Sequence, residues 1–204
     1  KPEDKMTVFA VLMRLREICC DPRLVADNWT GSSAKLEACL ELVTEAVAGG
    51  HRILLFSQFT SMLELLAKRL DEAGVSHFTL QGSTPKPVRA EQVRRFNQGE
   101  ADVFLISLRA GGTGLNLTAA DIVIHYDPWW NLAAQNQATD RAYRIGQRNP
   151  VQVYRLIAQD TIEEKIVELQ QAKQSLADTV TGGADGAILS MNPEQLLQLL
   201  GEEA

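Results

Sequence analysis

"RILLFSQFTSMLELLAKRLDEAGVSHFTL", residues 52–80, decides the fold. It opens on a short, continuous apolar run, Arg52 to Phe56, of the kind found in strands covered on both faces. Met62, Leu66 and Leu70 then recur at i, i+4 and i+8, one stripe of an amphipathic helix. Gly74 stands just past that stripe, where a left-handed helix cap is needed. A second strand-like run, His77 to Leu80, follows at once. Strand, helix and strand at this spacing are the unit of a parallel α/β sheet with right-handed crossovers.

The same rhythm continues outward. Asp102–Ile106, Asp121–His125 and Val151–Ile157 are further strand-like runs. Val88–Asn97 and Leu132–Arg144 carry helical patterns between them. Upstream, Thr7 to Cys20 predicts an amphipathic helix with Leu12, Leu15 and Ile18 apolar, stopped by Pro22. Asn28 to Ser33 is turn-rich and reads as a linker. Downstream, Thr161–Val180 predicts a long helix, 181–186 a glycine-rich break, and Pro193–Leu200 a short last helix. Three units follow: a helical segment and linker at 1–33, an α/β lobe at 34–160, and a helical extension at 161–204.

Composition narrows the function classes. At 45% hydrophobic and 23% charged residues, the 204-residue chain has material for a real core and no apolar run of membrane-spanning length. The first residues show no secretory signal. Cys19, Cys20 and Cys39 lack metal-site spacing and are odd in number, which favours a reducing compartment over a disulfide framework. His51, His77 and His125 likewise lack metal-like spacing. The net charge of −6 argues against a chain coated with nucleic acid. Local basic clusters nevertheless occur at Lys86, Arg89, Arg94 and Arg95, and at Arg141, Arg144, Arg148 and Arg155, while acids gather at Glu163, Glu164, Glu168, Glu202 and Glu203.

The phosphate chemistry is half there. No glycine is followed by lysine, so the loop that cradles a nucleotide's phosphates is missing. "GGTG", residues 111–114, also fails the dinucleotide pattern, because Leu117 stands where the third glycine belongs. Asp71-Glu72-Ala73-Gly74 resembles a magnesium-holding acidic box, but it closes an amphipathic helix rather than a buried strand. What is present is "QNQATDRAYRIGQ", residues 135–147. Gln137, Arg141 and Arg144 fall at i, i+4 and i+7, which puts an amide and two guanidiniums on one helical stripe. Ala134, Ala138, Ala142 and Ile145 form the neighbouring small, apolar stripe, and Gly146 can end the helix. Guanidinium forks suit phosphoryl oxygens because they donate bidentately and never lose charge. The alternative is a solvated face with Arg144 paired to Asp140 at i, i+4.

Gln137-x-x-Asp140-Arg141-x-x-Arg144-x-Gly146-Gln147 resembles the last signature of the Swi/Snf-type ATPases, a branch of the superfamily-two helicase-like motors. "LMRLREICCDPRLV" (12–25), "RILLFSQF" (52–59), "LQGSTPKPVRAEQVRRFN" (80–97) and "ISLRAGGTGLNLTAADIVIHYDPWWN" (106–131) resemble its other segments, in the family's order. The resemblance covers nearly the whole chain. Thr113, Leu132 and Leu108 depart from the pattern but remove no charge and no key glycine, so they bear on subfamily alone.

The resemblance implies an α/β, RecA-like three-layer domain, with a mostly parallel sheet flanked by helices and helical extensions at both ends. It implies the second, C-terminal lobe of an ATP-dependent double-stranded DNA translocase. ATP and Mg2+ would be held mainly by the N-terminal RecA-like lobe, which carries the phosphate-loop lysine, so this chain alone would not hydrolyse ATP. Arg141 and Arg144 would reach the terminal phosphate from across the cleft as arginine fingers, with Gln137 ordering water or neighbouring groups. Gly114 and Asn116 would sit at the nucleotide edge; for Asn116 a turn-forming role is the alternative. Ser57, Gln58, Gly82, Ser83 and Ser107 would meet DNA phosphates, Arg109 would probe a groove and Trp130 would contact a base. Each small polar residue could instead cap a helix, as expected of Thr60; Trp130 could instead pack in the core, as expected of Trp129. Implied partners are duplex DNA, the first lobe and a DNA-bound protein target, with no membrane. The short C-terminal region and the lack of nuclear-type basic runs point to a bacterial, nucleoid-associated cytoplasmic protein; a eukaryotic source would make it nuclear. Rival readings are a stand-alone DNA-binding or interaction module that has lost its motor, and a glycosyltransferase-like nucleotide enzyme. The second leaves the two-arginine helix unexplained.

Overall fold

The computed structural model describes residues 2–111, 115–142 and 150–177, with the side chains at 2–5, 109, 111 and 173–177 outside the description. Helix α1 (Pro2–Cys20) leads through a 3-10 turn at Pro22–Leu24 to α2 (Ala34–Ala48). Then come β1 (Ile53–Ser57), α3 (Thr60–Glu72), β2 (His77–Leu80), α4 (Lys86–Asn97), β3 (Val103–Ser107) and the single turn α5 (Leu108–Gly111). β4 (Ile122–His125), α6 (Leu132–Thr139), β5 (Gln152–Arg155) and α7 (Ile162–Ala177) complete the order.

The strands form one sheet in the order β2-β3-β1-β4-β5, and every pair is parallel. The continuous apolar runs have the expected cause. Ile53 to Ser57 and Val103 to Ser107 are buried at every position, because helices cover both faces. Alternate residues divide between two cores. Ile53, Leu55, Val103, Leu105, Ile122 and Ile124 pack with α2 and α3. Leu54, Phe56, Phe104, Ile106 and Val123 pack with Phe96 of α4 and Ala138 of α6. Met62, Leu66 and Leu70 are the α3 residues driven into the first core, each with no exposed surface. Burying one such side chain is worth about 1.5–3 kcal/mol. Gly74 follows α3 at φ +69°, the left-handed turn that favours glycine.

The first and last described helices close against each other. Leu12 of α1 packs with Ile162 and Ile166 of α7 in a third cluster. Lys35 of α2 reaches Glu163 of α7 at 2.5 Å, with both side chains nearly out of solvent. Burial pushes the Glu163 carboxyl up, against the pull of the ammonium. Tyr126, at the end of β4, donates its hydroxyl to the Cys20 carbonyl at 2.9 Å. The segment before Ser33 is therefore bonded into the lobe's core. No helix among the described residues is long and apolar enough to cross a membrane.

Two local expectations need correction. Thr60 is the first residue of α3, not its cap; Phe59 holds the cap position, with no side-chain bond. Ser57 closes the turn before it, its Oγ accepting from the Phe59 amide at 3.2 Å. The helix expected over Leu132–Arg144 ends at Thr139, and a turn follows in which the amides of Arg141 and Ala142 donate to Ala138 and Thr139. The Leu117 amide then donates to the Arg141 carbonyl, drawing the chain aside. The Arg141 carbonyl is thus paired outside the helix.

Candidate nucleotide and nucleic-acid site

In an all-parallel sheet every strand points the same way, so the loops after β1, β2, β3 and β4 share one edge, where open α/β sheets bind ligands. Ser57 and Gln58 follow or end β1, Gly82 and Ser83 follow β2, Ser107 ends β3, and Trp130 follows β4. Gly82 and Ser83 are exposed in a turn closed by Gln81 N to Thr84 Oγ1 and Thr84 N to Gln81 O, each 3.0 Å. Arg109 lies within α5, its side chain outside the description.

Ser57 and Ser107 face inward rather than outward. Ser57 is wholly buried and donates to Asp127 Oδ1 at 2.6 Å, while Ser107 is 2% exposed. Asp127 also accepts from the Gln58 amide at 3.1 Å, and burial pushes its carboxyl up. Gln58 turns its side-chain oxygen to Arg16, a residue of α1 with no exposed surface. Arg16 further donates to the Pro128 carbonyl at 2.8 Å and lies 3.6 Å from Asp127. Its guanidinium sits over the rings of Phe59 and Trp130, 5.4 and 5.2 Å from their centroids. Trp130 is half-buried beside the α1–α7 cluster. Trp129 is core, edge-on to Phe56 and His125, as its packing role required.

The nucleotide-directed candidates gather elsewhere. The Leu117-to-Arg141 backbone bond, 3.3 Å, brings Arg141 beside Asn116. Asn97, the last residue of α4, pins this segment by donating to the Asn116 carbonyl at 2.8 Å and accepting from the Ala119 amide at 3.3 Å. The Asn116 side chain remains exposed. Arg141 is 4% exposed, whereas Gln137 is exposed on α6. The single stripe expected of these two does not form, because α6 stops between them. Gly114 and Arg144 fall outside the described residues. Among those described, no three His, Cys, Asp or Glu side chains come together as metal ligands.

Helix α6 is fastened along its length. Asn131 caps it through the Ala134 amide at 3.0 Å, and the buried Gln135 accepts from the Trp129 amide at 3.2 Å. Thr139 meets His125 Nε2 at 2.9 Å. Gln170 of α7 donates to the Trp129 carbonyl. Sequence reasoning missed Arg16, Asp127, Asn97 and Gln135. Arg16 had a signal: it stands four residues from both Leu12 and Cys20, a charge inside the apolar stripe of α1.

Known proteins resemble this chain in sequence and fold. The helicase conserved C-terminal domain matches residues 34–146. An uncharacterized ATP-dependent helicase of Mycoplasma pneumoniae is 39% identical over 97% of this chain and 19% of its own length. A putative ATP-dependent helicase/translocase of Bacillus subtilis is 41% identical over 96% of this chain and 22% of its own. The chain thus spans about a fifth of these relatives. The Sulfolobus solfataricus SWI2/SNF2 ATPase core domain superposes with a TM-score of 0.78 at 32% identity, over 98% of this chain and 41% of that one. With its all-parallel sheet and the Asn116–Arg141 junction, this chain belongs to the helicase conserved C-terminal domain family, as the RecA-like C-terminal lobe of Swi/Snf type.

Proposed function

We propose that this lobe serves a DNA-dependent ATPase that moves along duplex DNA without unwinding it and remodels protein bound there. The observation that carries the reading is the backbone bond from Leu117 to Arg141. It joins two separate segments so that Asn116 and Arg141 stand at one backbone junction, with α6 running back from it to the loop edge. ATP with Mg2+ would supply the phosphoryl group to be transferred to water. Arg141, and Arg144 after it, would donate to its terminal oxygens as charge grows in the transition state. Asn116 would face the ribose, with Gly114 beside it and Gln137 near the attacking water. The exposed Gly82 and Ser83, with Arg109, would meet the duplex, and the first RecA-like lobe of the same protein would close the cleft. Residues 1–33 and 161–204 would frame the 34–160 lobe. A stand-alone DNA-binding or interaction module is the rival reading.

The test uses the longer protein that carries both lobes. Arg141→Ala and Arg144→Ala should each lower DNA-stimulated turnover by roughly 10³-fold or more, with little change in ATP binding. Lysine should rescue poorly, since a point charge cannot replace the fork. Near-normal turnover in both alanine variants would refute the finger role.

A further inference from the structure

Arg16 lies on α1, before the 34–146 segment that matches the helicase family, and the activity proposed above assigns it no part. Yet it is wholly buried, and its partners come from two different loops. From the turn after β1 come the Gln58 side-chain oxygen and the Phe59 ring. From the turn after β4 come Asp127, the Pro128 carbonyl and the Trp130 ring. Asp127 ties the same two turns again, from the other side, through the Ser57 hydroxyl and the Gln58 amide.

We propose that Arg16 and Asp127 form a buried positioning pair that locks the β1–α3 and β4–α6 turns into one unit and sets where Gln58 and Trp130 stand on the track-facing edge. Two lines of physics support this beyond mere packing. A buried ion pair is a poor device for stability, since desolvation offsets its Coulombic gain, and an apolar pair of similar volume often does as well. Geometric specificity is what a flat guanidinium set over two rings, its Nη2 turned to a carboxylate, a carbonyl and an amide oxygen, does supply. Burial pushes the Arg16 guanidinium down and the Asp127 carboxyl up, and the opposite charge of each works against that shift. The two turns are also ends of neighbouring, hydrogen-bonded strands, so the pair acts where a small shift would change both loops together. A merely structural role predicts that function falls only in proportion to stability when both charges are removed.

This inference rests on the translocase reading, and the experiment separates the two. In the two-lobe protein, Arg16→Met, the double variant Arg16→Met/Asp127→Asn, and Arg16→Lys are compared for melting, ATP turnover without DNA, and triplex displaced per ATP. Arg16→Met should melt lower, because it strands a buried carboxylate. The double variant should recover the melting temperature and the DNA-free turnover. Its displacement per ATP should still fall by roughly tenfold or more, the scale on which a small misplacement of a site group costs rate. Arg16→Lys, which keeps the charge and loses the fork, should show the same split. A double variant, or Arg16→Lys, that melts and displaces like wild type overturns the pair's positioning role. A double variant that melts low, with all activities falling in proportion, overturns it too, because the role is then one of stability. A wild-type protein without DNA-stimulated turnover refutes the translocase reading itself.

Discussion

His125 should make this lobe sensitive to mild acid. It sits at the end of β4, 1% exposed, stacked on Phe56 at 5.5 Å and edge-on to Trp129 at 5.6 Å. The Thr139 hydroxyl donates to the Gln135 carbonyl, so toward His125 it accepts, and Nε2 must carry the proton. Nδ1 is then the free lone pair, buried with no hydrogen-bond partner. A second proton there would put a charge in an apolar core, across a strand pair from Arg155. Burial, and to a lesser degree that guanidinium, hold the imidazole down to about 3, from the ordinary 6.5. In the unfolded chain the ring takes its proton near pH 6.5; in the fold it waits until about pH 3. Between these values unfolding takes up a proton, so acid favours the unfolded state. The stability owed to a neutral His125 is complete above pH 6.5 and is lost as pH falls toward 3. At about 1.36 kcal/mol per unit, the loss is about 2 kcal/mol at pH 5 and about 5 kcal/mol at full extent. That is a large share of the 5–15 kcal/mol that holds a typical domain. Urea unfolding of the lobe at pH 7.5, 6 and 5 measures it. His125→Gln, which can still donate to Thr139, removes the proton site, so carboxylates alone should set its pH slope. Equal slopes in the two proteins would refute the argument.

Three further outcomes follow from the arrangement. The 204-residue chain alone should hydrolyse ATP at buffer background, with or without duplex DNA, and turnover surviving repurification would show a complete site in this lobe. Trp130→Ala in the two-lobe protein should lower displacement per ATP more than ATP turnover if the ring meets a base, a contact worth on the order of 1–3 kcal/mol. If its contacts with Arg16 and the α1–α7 cluster are its whole role, melting and both activities should fall together. Lys35→Met should destabilise the lobe by roughly 3–5 kcal/mol, because it leaves Glu163 buried without its cation; a change under 1 kcal/mol by urea unfolding would contradict that ion-pair account.

The sheet was legible in the sequence because its central strands are apolar at nearly every position, a pattern that little else produces in five-residue runs. Gly74 was legible because a left-handed turn has few other occupants. The arginine segment was legible in its chemistry but not in its shape. Local pattern carries the helix on to Arg144, whereas it ends at Thr139, the amides of Arg141 and Ala142 bond three residues back, and the Arg141 carbonyl is taken by Leu117, more than twenty residues earlier. Ser57 looked like a surface hydroxyl because nothing near it in sequence announces Asp127, seventy residues away. Arg16 was passed over for the opposite reason. A charge in an apolar stripe reads as a flaw in the pattern until the rings and carbonyl that receive it are known.

Helix α6 has eight residues, Leu132–Thr139, and neither glycine nor proline. At 1.5 Å per residue it is a rod of about 12 Å, too short to curve appreciably and without a residue at which to kink. One end is fastened beside Trp130 by the Asn131 cap; just past the other lies Arg141. The helix therefore carries a displacement at the tryptophan end to Thr139 as a rigid body, and the turn at 140–142 is what stands between that rod and the arginine.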